Sequence, residues 1–132
     1  MDNVTETARV DRGNFIWDFI DEDLASGRYD HVHTRYPPEP NGHLHIGHCK
    51  AIYIDAMTAR RYGGKFNLRF DDTNPAKEEQ EFVDGIMDDI RWYGFDWDGG
   101  LFFASDYYEQ CYDLAEKLIL QGDAYIDELT QD

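Results

Sequence analysis

The chain has 132 residues, 42% hydrophobic and 15% aromatic, enough for one globular domain. Its 28 acidic against 12 basic residues leave a net charge of -16, so composition gives no support for binding nucleic acid, whose phosphates are met by Lys and Arg. Two distant cysteines, Cys49 and Cys111, no apolar run of membrane-spanning length and no basic-then-apolar leader favour a reducing cytoplasm over secretion or a membrane.

Residues 1 to 13 are polar and are expected to be loose. Asn14 then suits an N-cap for a helix in which Phe15, Ile16, Phe19, Ile20 and Leu24 recur at helical spacing, and Gly27 stops it. This reads as a packing helix. His31 to Tyr36 alternates and is β-branched or aromatic enough for a strand. The turn Pro37-Pro38-Glu39-Pro40-Asn41-Gly42 follows, and the spacing predicts that it feeds a helix with His45 and His48 on its first turn, continuing through Ala51 to Tyr62 and ending at Gly63-Gly64. Lys65 to Phe70 reads as a second strand with an acidic end, Asp71-Asp72.

Glu78 to Tyr93 carries Phe82, Ile86, Ile90 and Tyr93 on one stripe, with Gly94 after it: a second amphipathic helix, its acids forming a solvated face. Phe95 to Phe103 is turn-rich and aromatic. Ser105 is expected to cap a helix to Gln121 that buries Tyr108, Cys111, Tyr112, Ala115, Leu118 and Ile119 and ends at Gly122. Tyr125 and Ile126 begin a last strand. Strand, helix, strand, helix implies an α/β fold with a parallel sheet and right-handed crossover, and ligands bind such sheets at the carboxyl ends of the strands. Both conspicuous blocks, one after each strand, fall there.

A helix that starts straight after a strand presents unpaired N–H groups and about half a positive charge, which attract phosphate. Gly42 and Gly47 let a ring or a phosphate approach the main chain. His45 and His48, three apart, would share a helix face and donate to charge building on a phosphate. The rival reading is a metal site, since all five histidines, His31, His33, His43, His45 and His48, lie in one segment. Zinc sites add cysteine or acid ligands at fixed spacing, which Cys49 and Cys111 do not supply. Capping and surface roles remain open for the same histidines.

From Pro37 to His48, and again in Phe66-Asn67-Leu68-Arg69-Phe70-Asp71-Asp72-Thr73-Asn74-Pro75, the chain resembles class I aminoacyl-tRNA synthetases, and within them the glutamine and glutamate group. Val32-His33-Thr34-Arg35 and Ala124-Tyr125-Ile126-Asp127-Glu128-Leu129-Thr130 match as well, so the resemblance runs from about residue 14 onward. Asn41, where archaeal and eukaryotic glutamate members place serine, favours the glutamine branch; a glutamate-specific enzyme of archaeal or eukaryotic type is the alternative.

The resemblance implies the first half of a Rossmann-like nucleotide-binding catalytic domain over residues 14–132, ending where the tRNA acceptor-binding insertion opens. It implies ATP as substrate, Mg2+ arriving with it, no tightly held protein metal, and glutamine and tRNA(Gln) as partners. His45 and His48 would stabilise the transferring phosphate. ATP would also be held by Glu39, Pro40, Asn41, Ile46, Gly47, Cys49, Lys50 and Ala51. Asp71 would bind the amino acid's α-ammonium, and Arg35 would line the pocket beside it. For Asp71 the rival is a structural role capping the helix after Asn74-Pro75, a role for which Asp72 is the better candidate. The second half-fold, with its Lys-Met-Ser-Lys-Ser-like loop, has no counterpart here, so the expectation is a fragment that does not charge tRNA by itself. Readings from other classes are a non-catalytic nucleotide-binding module and an acidic interaction domain.

Overall fold

The computed structural model describes residues 13–74 and 80–129. The first helix, α1 (Phe15–Ala25), starts because the Asn14 side chain accepts from the N–H groups of Ile16 and Trp17 at 3.0 and 3.1 Å, and it gives way at Gly27, which takes φ +72°. Its apolar residues divide. Phe15 and Phe19 face outward, while Trp17 donates its indole N–H to Thr58 at 2.9 Å and lies 4.4 Å beneath the Arg61 guanidinium. α1 is thus a packing helix that leans on the helix carrying Thr58 and Arg61.

That helix is α2 (Ile46–Arg61), between the strands β1 (His33–Tyr36) and β2 (Lys65–Phe70). After α3 (Gln80–Trp92), a third strand, β3 (Gly100–Phe103), joins β2 on its other side. Both pairings are parallel and the order is β1-β2-β3, with Tyr36 beside Leu68 and Phe70 beside Phe103. Side-by-side residues share a face. Tyr36, Phe66, Leu68 and Phe70 therefore point together into a core completed by Ile52, Ala56 and Ala59 of α2 and Val83, Ile86 and Ile90 of α3. The opposite face carries His33, Arg35, Asn67, Arg69 and Phe102.

Several sequence expectations shift. β1 begins at His33 rather than His31. β3 replaces the end of what reads as a turn-rich stretch: Gly99 donates to the Phe66 carbonyl at 3.0 Å and brings a four-residue strand into register, too short to leave a pattern. A side chain at Gly99 would collide with Asn67, so only glycine permits this approach. Ser105 caps no helix; residues Ala104–Tyr107 form a 3-10 turn leading into α4 (Tyr108–Gln121). The expected apolar stripe of α4 is not buried, with Tyr112 67% and Leu118 46% exposed, because no element among the described residues covers it. Residues 124–129 pair with no strand, and Tyr125 and Ile126 are exposed. The loose N-terminus up to Arg12, the helix start at Glu78, Pro75 and Thr130 lie outside the described residues.

Candidate active site

Beyond the carboxyl end of β1, the 37–45 turn is seated by Pro38 and Pro40, both buried, while Glu39 and Asn41 face solvent with the Asn41 amide donating to the Glu39 carboxylate at 2.6 Å. α2 begins at Ile46, so His45 is its N-cap and not part of its first turn. The reason is a reciprocal pair of bonds: Gly47 N–H donates to His45 Nδ1 at 3.1 Å, and His45 N–H donates to His48 Nδ1 at 2.9 Å. The bland role and the sharp one therefore coexist in the same two rings.

Because each Nδ1 accepts from a backbone N–H, each imidazole must carry its proton on Nε2. The rings, 3.9 Å apart between centroids, thus leave two Nε2–H donors uncommitted at the positive end of a 16-residue helix. A Cβ on Gly47 would come 2.8 Å from the His45 ring, so glycine is required for that ring to fold back over the helix start. The exposed Lys50 and Ala51 sit one turn further along, and Cys49 turns partly inward toward the core.

Asp71 N–H donates to the Pro38 carbonyl at 2.9 Å, which ties the end of β2 to the turn after β1 and brings the two sequence blocks together. The paired acids then part. The Asp71 carboxylate is exposed and accepts from the Thr73 hydroxyl at 3.2 Å. Asp72 instead accepts from Ser105 N–H and Oγ, at 2.9 and 2.6 Å, and so fixes the start of the 3-10 turn after β3; the helix start after Pro75, its expected capping site, lies outside the described residues. Arg35 is exposed on the open sheet face, beside Asn67 in the register.

His43 packs edge-on against Phe82 at 5.2 Å and anchors the turn to α3. His31 is paired with Asp30 at 2.5 Å, which holds that carboxyl below the usual carboxylate range. Among the described residues no three His, Cys, Asp or Glu side chains gather as a metal site would require.

Two groups that sequence reasoning missed lie where α2 packs on β1. Burial pushes the Asp55 carboxyl up to about 6, with the Arg35 guanidinium pulling the other way. Burial likewise pushes the Tyr36 phenol to about 12, reinforced by Cys49 and Asp55, and its hydroxyl has no hydrogen-bond partner among the described residues. An acid inside Ile52-Tyr53-Ile54-Asp55-Ala56-Met57 was the available signal. A cleft of about 210 Å³ beside the helix start is lined by Leu44, His45, Cys49 and Trp92. The larger hollow, about 590 Å³ with Arg60, Phe66, Arg91, Asp96 and Asp98, lies at the amino end of the sheet, opposite the end that carries His45, His48 and Asp71.

The family model for tRNA synthetases class I (E and Q), catalytic domain, matches residues 31–132. The glutamine-tRNA ligase of Nitrobacter winogradskyi is 53% identical over 130 residues, 98% of this chain and 23% of that protein. The glutamine-tRNA ligase of Rhodopirellula baltica is 59% identical over 117 residues, 89% of this chain and 19% of its own length. Among solved structures, a glutamate-tRNA synthetase from Elizabethkingia anophelis superposes with a TM-score of 0.60 at 26% identity over 69% of this chain and 20% of its own. The chain spans about a fifth of the length of the relatives it matches. The family model spans most of the chain and the identity to these ligases runs over nearly all of it, so the chain belongs to the class I tRNA synthetases for glutamate and glutamine.

Proposed function

We propose that this chain supplies the ATP-binding and part of the amino-acid-binding surface of a glutamine-tRNA ligase working in the cytoplasm. The glutamine carboxylate attacks the α-phosphorus of ATP, the bond from that phosphorus to the bridging oxygen breaks, and pyrophosphate leaves. A terminal ribose hydroxyl of tRNA(Gln) then attacks the acyl carbon and AMP departs. No helix among the described residues is long and apolar enough to cross a membrane.

The observation that carries this reading is the locked pair of Nε2–H donors at the start of α2. Donors already oriented toward the site of developing charge need no rearrangement in the transition state. The neighbouring orphan amides of the helix add to that field, with the exposed Glu39 and Asn41 on the turn before it, Lys50 one turn along it, and the buried Pro40 seating the turn. Mg2+ enters with the triphosphate as part of the substrate. Asp71, exposed and held by the Pro38 link, offers an ionised carboxylate to the α-ammonium, and Arg35 faces the amino-acid side chain.

The test is ATP–pyrophosphate exchange by the full-length gene product with tRNA(Gln) present. Exchange with glutamine that collapses in Asp71→Ala through a raised KM for glutamine, with KM for ATP little changed, supports the assignment. Equal effects on both constants, or exchange with glutamate instead, would sink it.

A further inference from the structure

Asp71 lies just past the end of β2, the middle strand, and its exposed carboxylate has the Thr73 hydroxyl as its hydrogen-bond donor. The segment that carries it is held from both flanking strands. On the β1 side the Asp71 N–H donates to the Pro38 carbonyl at 2.9 Å. On the β3 side Ser105 donates twice to the next residue, its N–H to Asp72 Oδ1 at 2.9 Å and its hydroxyl to Oδ2 at 2.6 Å. The Tyr108 hydroxyl adds a bond to the Thr73 carbonyl at 3.2 Å. Of the two partners in this clasp, the β3 side is the rigid one. Ser105 follows the buried Ala104, and Phe103 stacks on the fully buried Phe70 with ring centroids 5.2 Å apart. Ser105 is thus the anchor, and a carboxylate gripped at both oxygens cannot turn without losing a charge-assisted bond.

We propose that Ser105 is a positioning residue for the amino-acid site: through Asp72 it fixes the main chain on the carboxyl side of Asp71, so that the Asp71 carboxylate meets the α-ammonium of glutamine at a set place. This rests on the reading that Asp71 binds that ammonium. The adjacent acids thereby divide their roles, one binding the fold and the other the substrate. A loop free to move would have to be ordered when it gripped the ammonium, which weakens binding; the clasp orders it before the substrate arrives. The Thr73 hydroxyl completes the aim, because Tyr108 holds the main chain from which that hydroxyl reaches Asp71. Ser105 bonds to Asp72 and not to the 37–48 segment that faces ATP, so loss of its hydroxyl falls on glutamine.

The measurement is a double-mutant cycle of Ser105→Ala and Asp71→Ala in the full-length enzyme, read as KM for glutamine and for ATP in pyrophosphate exchange with tRNA(Gln) present. Ser105→Ala alone raises KM for glutamine about tenfold and leaves KM for ATP within about twofold; the Ser105 N–H bond survives, so the loss stays below the roughly 10²-fold of a full misplacement. In the Asp71→Ala background the same change has no further effect on KM for glutamine, since the group it aims is gone. A KM does not depend on how much of the enzyme is folded, so partial loss of stability leaves the comparison intact. An unchanged KM for glutamine in Ser105→Ala, an equal rise in KM for ATP, or the same rise again in the Asp71→Ala background overturns the proposal. Asp71→Ala alone is the separate control: if KM for glutamine then does not move, the reading of Asp71 itself fails.

Discussion

At the start of α2 each imidazole uses one nitrogen to hold the backbone and keeps the other free for a ligand. His48→Ala is therefore expected to do two things: slow adenylate formation by about 10²- to 10³-fold, the usual loss for an oriented donor, and remove a cap worth ~1 kcal/mol. Pre-steady-state formation of the adenylate and a thermal melt separate the two. Asp55 makes a stability prediction of opposite sign. Its folded pKa, raised to about 6, lies above the ordinary 3.8, so the ionised form costs stability above pH 6 and the cost fades as pH falls toward 4. Asp55→Asn should accordingly stabilise the fold at pH 7.5 by on the order of 1 kcal/mol after allowing for solvent screening of a half-exposed group, read as a higher Tm, and leave Tm unchanged near pH 4. The histidines were legible in the sequence because they cluster; their tautomer was not, since it depends on the residue at which the helix starts. Asp55 was illegible because burial of one acid on a helix is set by a strand twenty residues earlier.

Among the elements, β2 could be read to the residue and β1 and α2 to within one or two residues, because each has a clean period and a Gly or Pro boundary. β3 could not, because a four-residue strand borrows its register from β2 through Gly99. Gly99→Ala is expected to destabilise the fold by roughly 1–3 kcal/mol, the range for overpacking, with loss of hydrogen-exchange protection concentrated in residues 100–103; protection unchanged there would contradict the assigned contact with Asn67. Gly47→Ala acts on the site instead. The added methyl displaces the His45 ring, so exchange activity should fall much further than Tm, the reverse of what a simple helix-propensity change produces.

The whole molecule has one sheet face packed beneath α2 and α3 and the other carrying His33, Arg35, Asn67 and Arg69. The amphipathic period of α4 was correctly legible as a helix, but not its burial, which depends on what lies over it. Residues 1–132 made alone should bind the dye ANS and associate with concentration in analytical ultracentrifugation, through the exposed Tyr112, Leu114, Leu118 and Ile119 and the unpaired strand edges. They should show no measurable tRNA charging. A monodisperse monomer that ignores the dye would mean that α4 folds back over its own apolar face.

The mutual bonds of His45 and His48 carry a consequence for how such a chain can vary over generations. The helix begins where it does because the two rings hold it there, and the rings present their remaining N–H groups at the helix start because the helix begins there. A substitution at either position alters architecture and chemistry in one event, so selection has no intermediate in which one is kept while the other drifts. Neighbours such as His43 and Cys49, whose side chains take no part in that shared bond, are expected to be the freer positions.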